Sequence, residues 1–384
     1  MSKKLKILAI PSWYPTDSNP GFGIFVKRHL IEIARFCEVH VLYFDFNEQS
    51  NSNGFRYATN VIDGIHEHSV CVASSFGKLG SLLLTWYWYI RLVLLGPLGN
   101  HQIKHVHVPY HIAVFLAPFL LISRLPLVIT EHWSGYFAED GRFANLSGFF
   151  RMTIRALFKR ADCVSAVSEP LASSIRRSLN LKNEIQIIPN VVDLDINVRS
   201  ASGVKPDNFL MIANFNNAEK NITGVIDAFT KFRINHPQAI LTIVGAGPDF
   251  DMILNYVTEK GHGNGSIKLP GFVSNNELSK YFSYATCYIL NSNFETFSIS
   301  TLEALLYGVP VIATKCKGPE SFVNSKNGLL IDVGSNDQLL SAMEFMSNSY
   351  LNFNPSDIRN SIPGEVIAHT GESFYSIYNR VIVD

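Results

Sequence analysis

The chain has 384 residues, 47% of them hydrophobic and 17% charged, with 32 lysines and arginines against 32 aspartates and glutamates. That length exceeds one ordinary core and predicts two domains of roughly 150–200 residues, while the balanced charge gives no reason to expect nucleic acid or an acidic polymer as a partner. Five scattered cysteines (Cys37, Cys71, Cys163, Cys287, Cys316), never spaced Cys-x-x-Cys, argue against a disulfide framework or zinc site and for a reducing, cytoplasmic setting.

The N-terminal Ile7-Leu-Ala-Ile-Pro11 is too short for a signal-peptide core and reads as a first strand over 5–11. Further strands are expected at 38–44, 69–73, 104–108, 127–130, 163–167 and 185–188, with helical patterns at 25–36, 149–160 and 169–179. The apolar stretches 82–95 and 112–122 fall short of the about 20 residues a spanning helix needs and read as buried helices. Trp86, Tyr87, Trp88 and Tyr89 would also suit a headgroup layer, so interfacial contact stays open for the first stretch. Lys3, Lys4, Lys6, Lys27 and Arg28 are either an anchor to anionic lipid or a solvated face.

The pattern restarts after Pro189-Asn190-Val-Val-Asp193, with a hinge near 190–207. Strands follow at 209–213, 240–244, 267–269, 287–290, 309–313 and 328–331, separated by helices at 222–235, 251–260, 276–284, 300–307 and 337–346. Apolar strands with helical crossovers predict an α/β chain of two Rossmann-like, doubly wound parallel-sheet domains facing an interdomain cleft. The expected bounds are 1–192 and 193–364, with helical residues 365–384 packing back on the first domain. Ligands in such sheets sit beyond the carboxyl ends of the strands, which makes the residues there the informative ones.

The densest signal is Asn291-Ser-Asn-Phe-Glu295-Thr-Phe-Ser298, leading into a helix that carries Glu303 and ends at Gly308-Val-Pro310. Amides of Thr296, Phe297 and Ser298 at a helix N-terminus favour an anion such as a diphosphate. Carboxylates beside them suit sugar hydroxyls, since one carboxylate accepts two hydrogen bonds from a diol. Taken singly, Glu295 could merely complement the helix dipole and Glu303 be a solvated helix residue. Other patterns carry less. Asp193-Leu-Asp195 and Asp249-Phe-Asp251 read as loop or helix-start acids. His105 and His107 share one strand face, but a metal pair needs a third ligand and none is evident in the sequence, so no metal is expected. Absence of Gly-x-Ser-x-Gly and of a P-loop disfavours hydrolase and kinase readings.

Glu295 and Glu303, with Gly308-Val-Pro310 behind them, resemble the Glu-x7-Glu signature of the retaining glycosyltransferases of family 4, which have the GT-B fold. Pro20-Gly21-Phe-Gly23, Thr130-Glu-His132, Ala166-Val-Ser168, Val244-Gly245-Ala-Gly247-Pro248, Pro270-Gly271-Phe-Val273 and Gly318-Pro319-Glu320 resemble that family's other motifs, in its order. The resemblance implies transfer of a hexose-type sugar, with retained configuration, from a nucleotide-diphosphate donor such as a UDP- or GDP-sugar. The acceptor would be a glycan or lipid-linked molecule in bacterial surface polysaccharide or lipopolysaccharide synthesis. Catalysis would be metal-independent and without a cofactor, since the nucleotide-sugar is a substrate. By the same resemblance His132 and Glu295 are catalytic, and the donor is held by Asn214, Lys220, Val273, Glu295, Thr296, Phe297, Ser298 and Glu303. Gly21, Gly23, His107 and Trp133 would form the acceptor or phosphate side. Asn214 stands where the family has a phosphate-binding arginine, and so offers a hydrogen bond but no charge. The rival readings are a nucleotide-sugar epimerase of the same fold and a non-catalytic paralogue acting as a partner subunit. A secreted two-lobed binding protein would need the leader not found here. The enzyme is expected in the cytoplasm, peripherally at the inner face of the membrane.

Overall fold

The computed structural model describes residues 4–16, 19–46, 55–72, 77–192, 197, 204, 206–263, 265–367 and 369–383. Lys3, Asp193 and Asp195 lie outside them, as does much of the expected hinge. The chain divides into two units, Met1–Val191 with Ala368–Asp384, and Val192–Ile367. The helices are α1 (Ile24–Ala34), α2 (Gly77–Tyr89), α3 (Ile112–Phe115), α4 (Ala117–Ile122), α5 (Gly148–Arg160), α6 (Glu169–Leu179), α7 (Asn217–Lys220), α8 (Ile222–Phe232), α9 (Phe250–Glu259), α10 (Asn275–Tyr284), α11 (Ile299–Leu306), α12 (Asn336–Ser349), α13 (Pro355–Asn360) and α14 (Thr370–Val383).

In the first unit the strands are β1 (Lys6–Pro11), β2 (Glu38–Asp45), β3 (Phe55–Ile62), β4 (Ile65–Val72), β5 (Ile103–His107), β6 (Leu127–Glu131), β7 (Cys163–Ala166) and β8 (Gln186–Ile187). They form one sheet in the order β3-β4-β2-β1-β5-β6-β7-β8. β5, β6 and β7 are buried at every position, as strands covered on both faces must be. Every pairing is parallel except β3 with β4. The antiparallel β3 is absent from the expectations drawn from the sequence. It is set by the Asp63-Gly64 turn, whose two residues take φ of 54° and 78°, the left-handed pair a tight hairpin requires.

The stretch 82–95 is not a buried helix throughout. α2 starts at Gly77 and passes into a π-helical turn over Ile90–Leu94. Trp88 and Tyr89 are buried, whereas Leu79, Leu83, Tyr87, Leu94 and Leu95 are exposed. No described helix is long and apolar enough to cross a membrane. The basic residues near the N-terminus are largely engaged within the fold. Lys6 pairs with Glu38 at 2.7 Å, Lys27 with Glu67 at 2.9 Å, and Lys4 donates to the carbonyls of Ala34 and Arg35.

The C-terminal helix α14 belongs to the first unit. It starts at Thr370 rather than 365, and residues 364–366 form a short 3-10 turn in the second unit. Phe374, Ile377 and Tyr378 share one core with Ile7, Ala9, Leu30 and Ile33. The Tyr378 hydroxyl is hydrogen-bonded to Nδ1 of His105 at 2.7 Å.

The second unit holds β9 (Asn208–Ile212), β10 (Ile240–Val244), β11 (Ile267–Gly271), β12 (Cys287–Leu290), β13 (Val311–Thr314) and β14 (Gly328–Ile331). Their order is β11-β10-β9-β12-β13-β14, all parallel, which is the Rossmann order for six strands. The chain runs outward from β9 to β11, then returns to place β12 on the other side of β9. That reversal opens a crevice beyond the ends of β9 and β12, where a doubly wound sheet binds its ligand. A core of Phe209, Met211, Val225, Phe229, Ile243, Cys287, Ile289 and Met343 fixes the sheet against its helices.

Candidate active site

At the reversal in the second unit, the turn after β9 and the turn after β12 are tied together by backbone. Asn293 donates its amide to the Glu219 carbonyl at 2.8 Å and its side chain to the Ala218 carbonyl at 2.8 Å. Asn291 donates to the Asn221 carbonyl at 3.2 Å. These bonds bring Lys220, at the end of α7, to Glu295, and Nζ to Oε1 is 2.6 Å. Glu219 flanks the same ammonium at 2.6 Å, and the Ser292 hydroxyl donates to Glu295 Oε1 at 2.9 Å. Burial works to lower the Lys220 pKa, but Glu295 and Glu219 outweigh it and the group is held firmly protonated. The spacing Lys220…Glu295 was legible only as two separate matches; the fold makes them one ion pair.

Beyond Glu295 the chain enters α11 through Thr296, Phe297 and Ser298. Phe297 is buried against Phe322, with ring centroids 5.8 Å apart. Ser298 takes φ 72°, unusual for a residue with a side chain, and its hydroxyl shares a 2.7 Å hydrogen bond with Thr301. Lys317, across from Glu295 in an isolated parallel bridge, takes φ 82°. Between them Gly318 admits no side chain, because a Cβ would lie 2.8 Å from the Phe297 nitrogen. Strained, non-glycine backbone of this kind concentrates at functional sites; Ser298 was expected there from the sequence, and Lys317 was not singled out. Glu303 falls on the second turn of α11 and is 9% exposed. Asn214 is exposed after β9, and Val273 follows β11 at the sheet edge; among the described residues no hydrogen bond or ion pair joins either to Lys220 or Glu295.

In the first unit the chain reverses between β1 and β5, by the same logic. Gly23 heads α1 at φ 69°, packed on the backbone of Trp13 and Tyr14, while Gly21 is exposed. After β5, Val108 and His111 take φ of 55° and 62°, the first a notable strain for a β-branched residue. His107 and His132 are both buried, and Nδ1 of His132 lies 3.2 Å from the Asn190 side-chain oxygen. Burial pushes the pKa of each well below that of a free imidazole, so both rings are neutral. Trp133 is 2% exposed with its face stacked on Tyr110 at 4.6 Å, which leaves that face no room for a sugar ring.

Glu131, between Thr130 and His132, is a residue that sequence reading passed over. It is wholly buried, and its Oε1 accepts the amides of His132 and Trp133 at 2.9 Å each, fixing the turn after β6. Burial raises its pKa to about 7, against the two amide bonds that lower it. A raised folded pKa means the folded chain holds this proton more tightly than the unfolded one. Stability is therefore fully present below pH 4.5 and is lost as pH rises toward 7. Glu131→Gln keeps the acceptor and removes the charge. Its melting temperature should exceed wild type at pH 8, by an amount on the order of 2–3 kcal/mol in stability, and match it near pH 4.5. Thermal melts of both proteins across that range test this.

Two family models match in succession, Glycosyltransferase Family 4 over residues 21–196 and Glycosyl transferases group 1 over residues 195–355. Among curated relatives, N-acetyl-alpha-D-glucosaminyl L-malate synthase of Bacillus anthracis is 28% identical over 61% of this chain. A lipopolysaccharide core biosynthesis glycosyltransferase of Rhizobium meliloti is 24% identical over 49% of it. The matched stretches span 62% and 54% of those relatives' own lengths. Among solved structures, sucrose-phosphate synthase of Thermosynechococcus elongatus covers 99% of this chain and 100% of its own at TM-score 0.76 and 16% identity. HepE of Anabaena, in complex with UDP and glucose, covers 98% and 100% at TM-score 0.73 and 18% identity. With two Rossmann-like units of GT-B type and both family models in order along it, this chain belongs to the family 4 glycosyltransferases, the glycosyl transferases of group 1.

Proposed function

We propose that the chain transfers a hexose-type sugar, with retained anomeric configuration, from a nucleoside-diphosphate donor to a glycan or lipid-linked acceptor of the bacterial surface. The observation that carries this reading is the Lys220–Glu295 pair beyond β9 and β12. An ammonium has three donors, and two are turned to Glu219 and Glu295, which leaves one for a phosphate oxygen. As the bond to the sugar breaks, charge grows on the departing diphosphate; a fixed cation and the amides entering α11 stabilise it there without a metal. Glu295 can accept from hydroxyls of the donor sugar and Glu303 from those of the ribose. The phosphate itself takes the acceptor proton, so the transfer needs no separate base. The acceptor falls to the first unit, around His132 and the Gly21–Gly23 loop. The likeness to a lipopolysaccharide core glycosyltransferase supports the surface-glycan acceptor. Incubating the enzyme with UDP- and GDP-hexoses and lipid-linked oligosaccharide acceptors, and reading the new anomeric proton coupling by NMR, tests the reading. An α-linked product from an α-linked donor supports it. An inverted linkage contradicts retention, and a changed sugar without acceptor contradicts transfer.

The same proposal places the enzyme at the membrane surface through the first unit. Leu83 and Tyr87 on α2, Ile122 on α4, and Phe149 and Met152 on α5 are exposed, among Arg91, Arg124, Arg151 and Lys159. Apolar side chains interleaved with arginine and lysine suit an anionic lipid interface. Wild type should co-sediment with vesicles rich in anionic phospholipid, and Phe149→Ser with Met152→Ser should release it several-fold with an unchanged melting temperature. Failure of wild type to sediment at low salt would rule the contact out.

A further inference from the structure

Three histidines from three elements of the first unit converge: His29 on α1, His107 ending β5 and His132 after β6. One ring nitrogen from each lies within 4.8 Å of the others. The rings are 0%, 0% and 5% exposed. The nearest two nitrogens, Nδ1 of His107 and Nε2 of His132, are 3.4 Å apart. The His29 plane is turned 63° from His132 and 80° from His107, so it approaches the other two edge-on rather than stacking. Hydrogen bonding leaves this group incomplete. Among the described residues, Nε2 of His107 meets no partner, and the His29 ring makes no well-formed hydrogen bond, although the Pro189 carbonyl and the Asn190 side chain lie beside it. Buried polar atoms are nearly always partnered, so three buried imidazoles gathered with few good hydrogen bonds leave room for an ion or a water to take one nitrogen of each.

We infer that His29, His107 and His132 form a site for one borderline transition-metal ion of the zinc, cobalt or nickel kind, which ties the middle of α1 to the ends of β5 and β6. Two imidazole nitrogens bound to a tetrahedral zinc at 2.0–2.1 Å stand about 3.4 Å apart, the separation found here. An all-imidazole set selects these metals over magnesium, calcium or manganese, which take oxygen ligands. Asn190, whose side-chain oxygen faces the other nitrogen of His132 at 3.2 Å, is the outer partner that fixes a ligand ring. His105 is not a ligand, because its two nitrogens are engaged by the hydroxyls of Tyr378 and Thr130, each at 2.7 Å. The fourth position is left to water. The site belongs to a different unit from the Lys220–Glu295 pair, but it shares His132 with the acceptor side proposed above, so its test reads metal binding and not sugar transfer.

The full chain, made without a polyhistidine tag and stripped with a chelator, should bind one cobalt(II) per molecule with the visible absorption of a tetrahedral nitrogen site. Zinc should displace the cobalt and raise the melting temperature; magnesium should do neither. His29→Gln should weaken cobalt binding by about two orders of magnitude or more. A second group, Glu38, His40 and His66, also brings metal-ligand atoms together, at a partly exposed place on β2 and β4. His66→Ala should leave the cobalt band unchanged. X-ray absorption on the cobalt-loaded wild type, which asks nothing of a variant's folding, should count three imidazoles. The inference is overturned by no uptake above the chelated background, by a band kept in His29→Gln, by a band lost in His66→Ala, or by fewer than three imidazoles.

Discussion

Replacing Lys220 by alanine should lower kcat/KM by about 10²–10³-fold, the scale seen when one preorganised donor to a developing negative charge is removed. The ammonium lies between Glu219 and Glu295 at 2.6 Å each, so the substitution also leaves two carboxylates facing each other without their cation. A stability loss of about 1–3 kcal/mol is expected from that alone. The two effects separate in a double variant. Adding Glu219→Gln to Lys220→Ala removes the repulsion without touching a group that meets the donor, and should restore most of the melting temperature while activity stays low. Lys220→Arg keeps the charge but replaces a compact ammonium by a wider planar fork, and should recover only part of the rate. If the double variant regained activity along with stability, Lys220 would be a structural residue and the phosphate role would fail.

Gly23→Ala should be the most damaging single change in the first unit. The residue sits at φ 69°, and a Cβ would lie 2.5 Å from the Trp13 carbonyl oxygen and 2.6 Å from the Tyr14 nitrogen. These are backbone atoms that cannot swing aside as a flexible side chain would. Left-handed backbone and the overlap together should cost about 2–5 kcal/mol. The start of α1 must then shift, and with it His29, so the melting temperature should fall by several degrees. Gly21, exposed and without a positive φ among those observed, should tolerate alanine with little loss of stability. Equal damage at both positions would contradict the close-packing argument.

The contrast between those glycines marks what the sequence could and could not say. Both sit in one glycine-rich loop, and only the backbone path shows which of them is obligatory. The parallel strands were legible because most are short apolar runs, buried along their whole length in β6, β7, β12 and β13. β3 was missed because its alternation is weak, with Arg56, Thr59 and Asn60 along it; the Asp63-Gly64 turn was the available signal. Glu295 and Glu303 were found through their spacing. Their relation to Lys220 depends on two turns that meet only when β12 pairs with β9, 75 residues apart in the case of Lys220 and Glu295. The histidine group was out of reach for the same reason. His105 and His107 share a strand, but the residues that join His107 are His29 and His132, and His105 is turned to Tyr378 instead.

The central claim is that the reversal between β9 and β12 binds a nucleoside diphosphate, and its most direct test is thermal titration with UDP, GDP and ADP. One nucleotide should raise the melting temperature of wild type, reaching about 2.7 kcal/mol of stabilisation at a hundred times its dissociation constant. Glu303→Ala, which removes a nearly buried carboxylate from the second turn of α11, should lose most of that shift. No shift with any nucleotide at millimolar concentration, or an equal shift in Glu303→Ala, would contradict it.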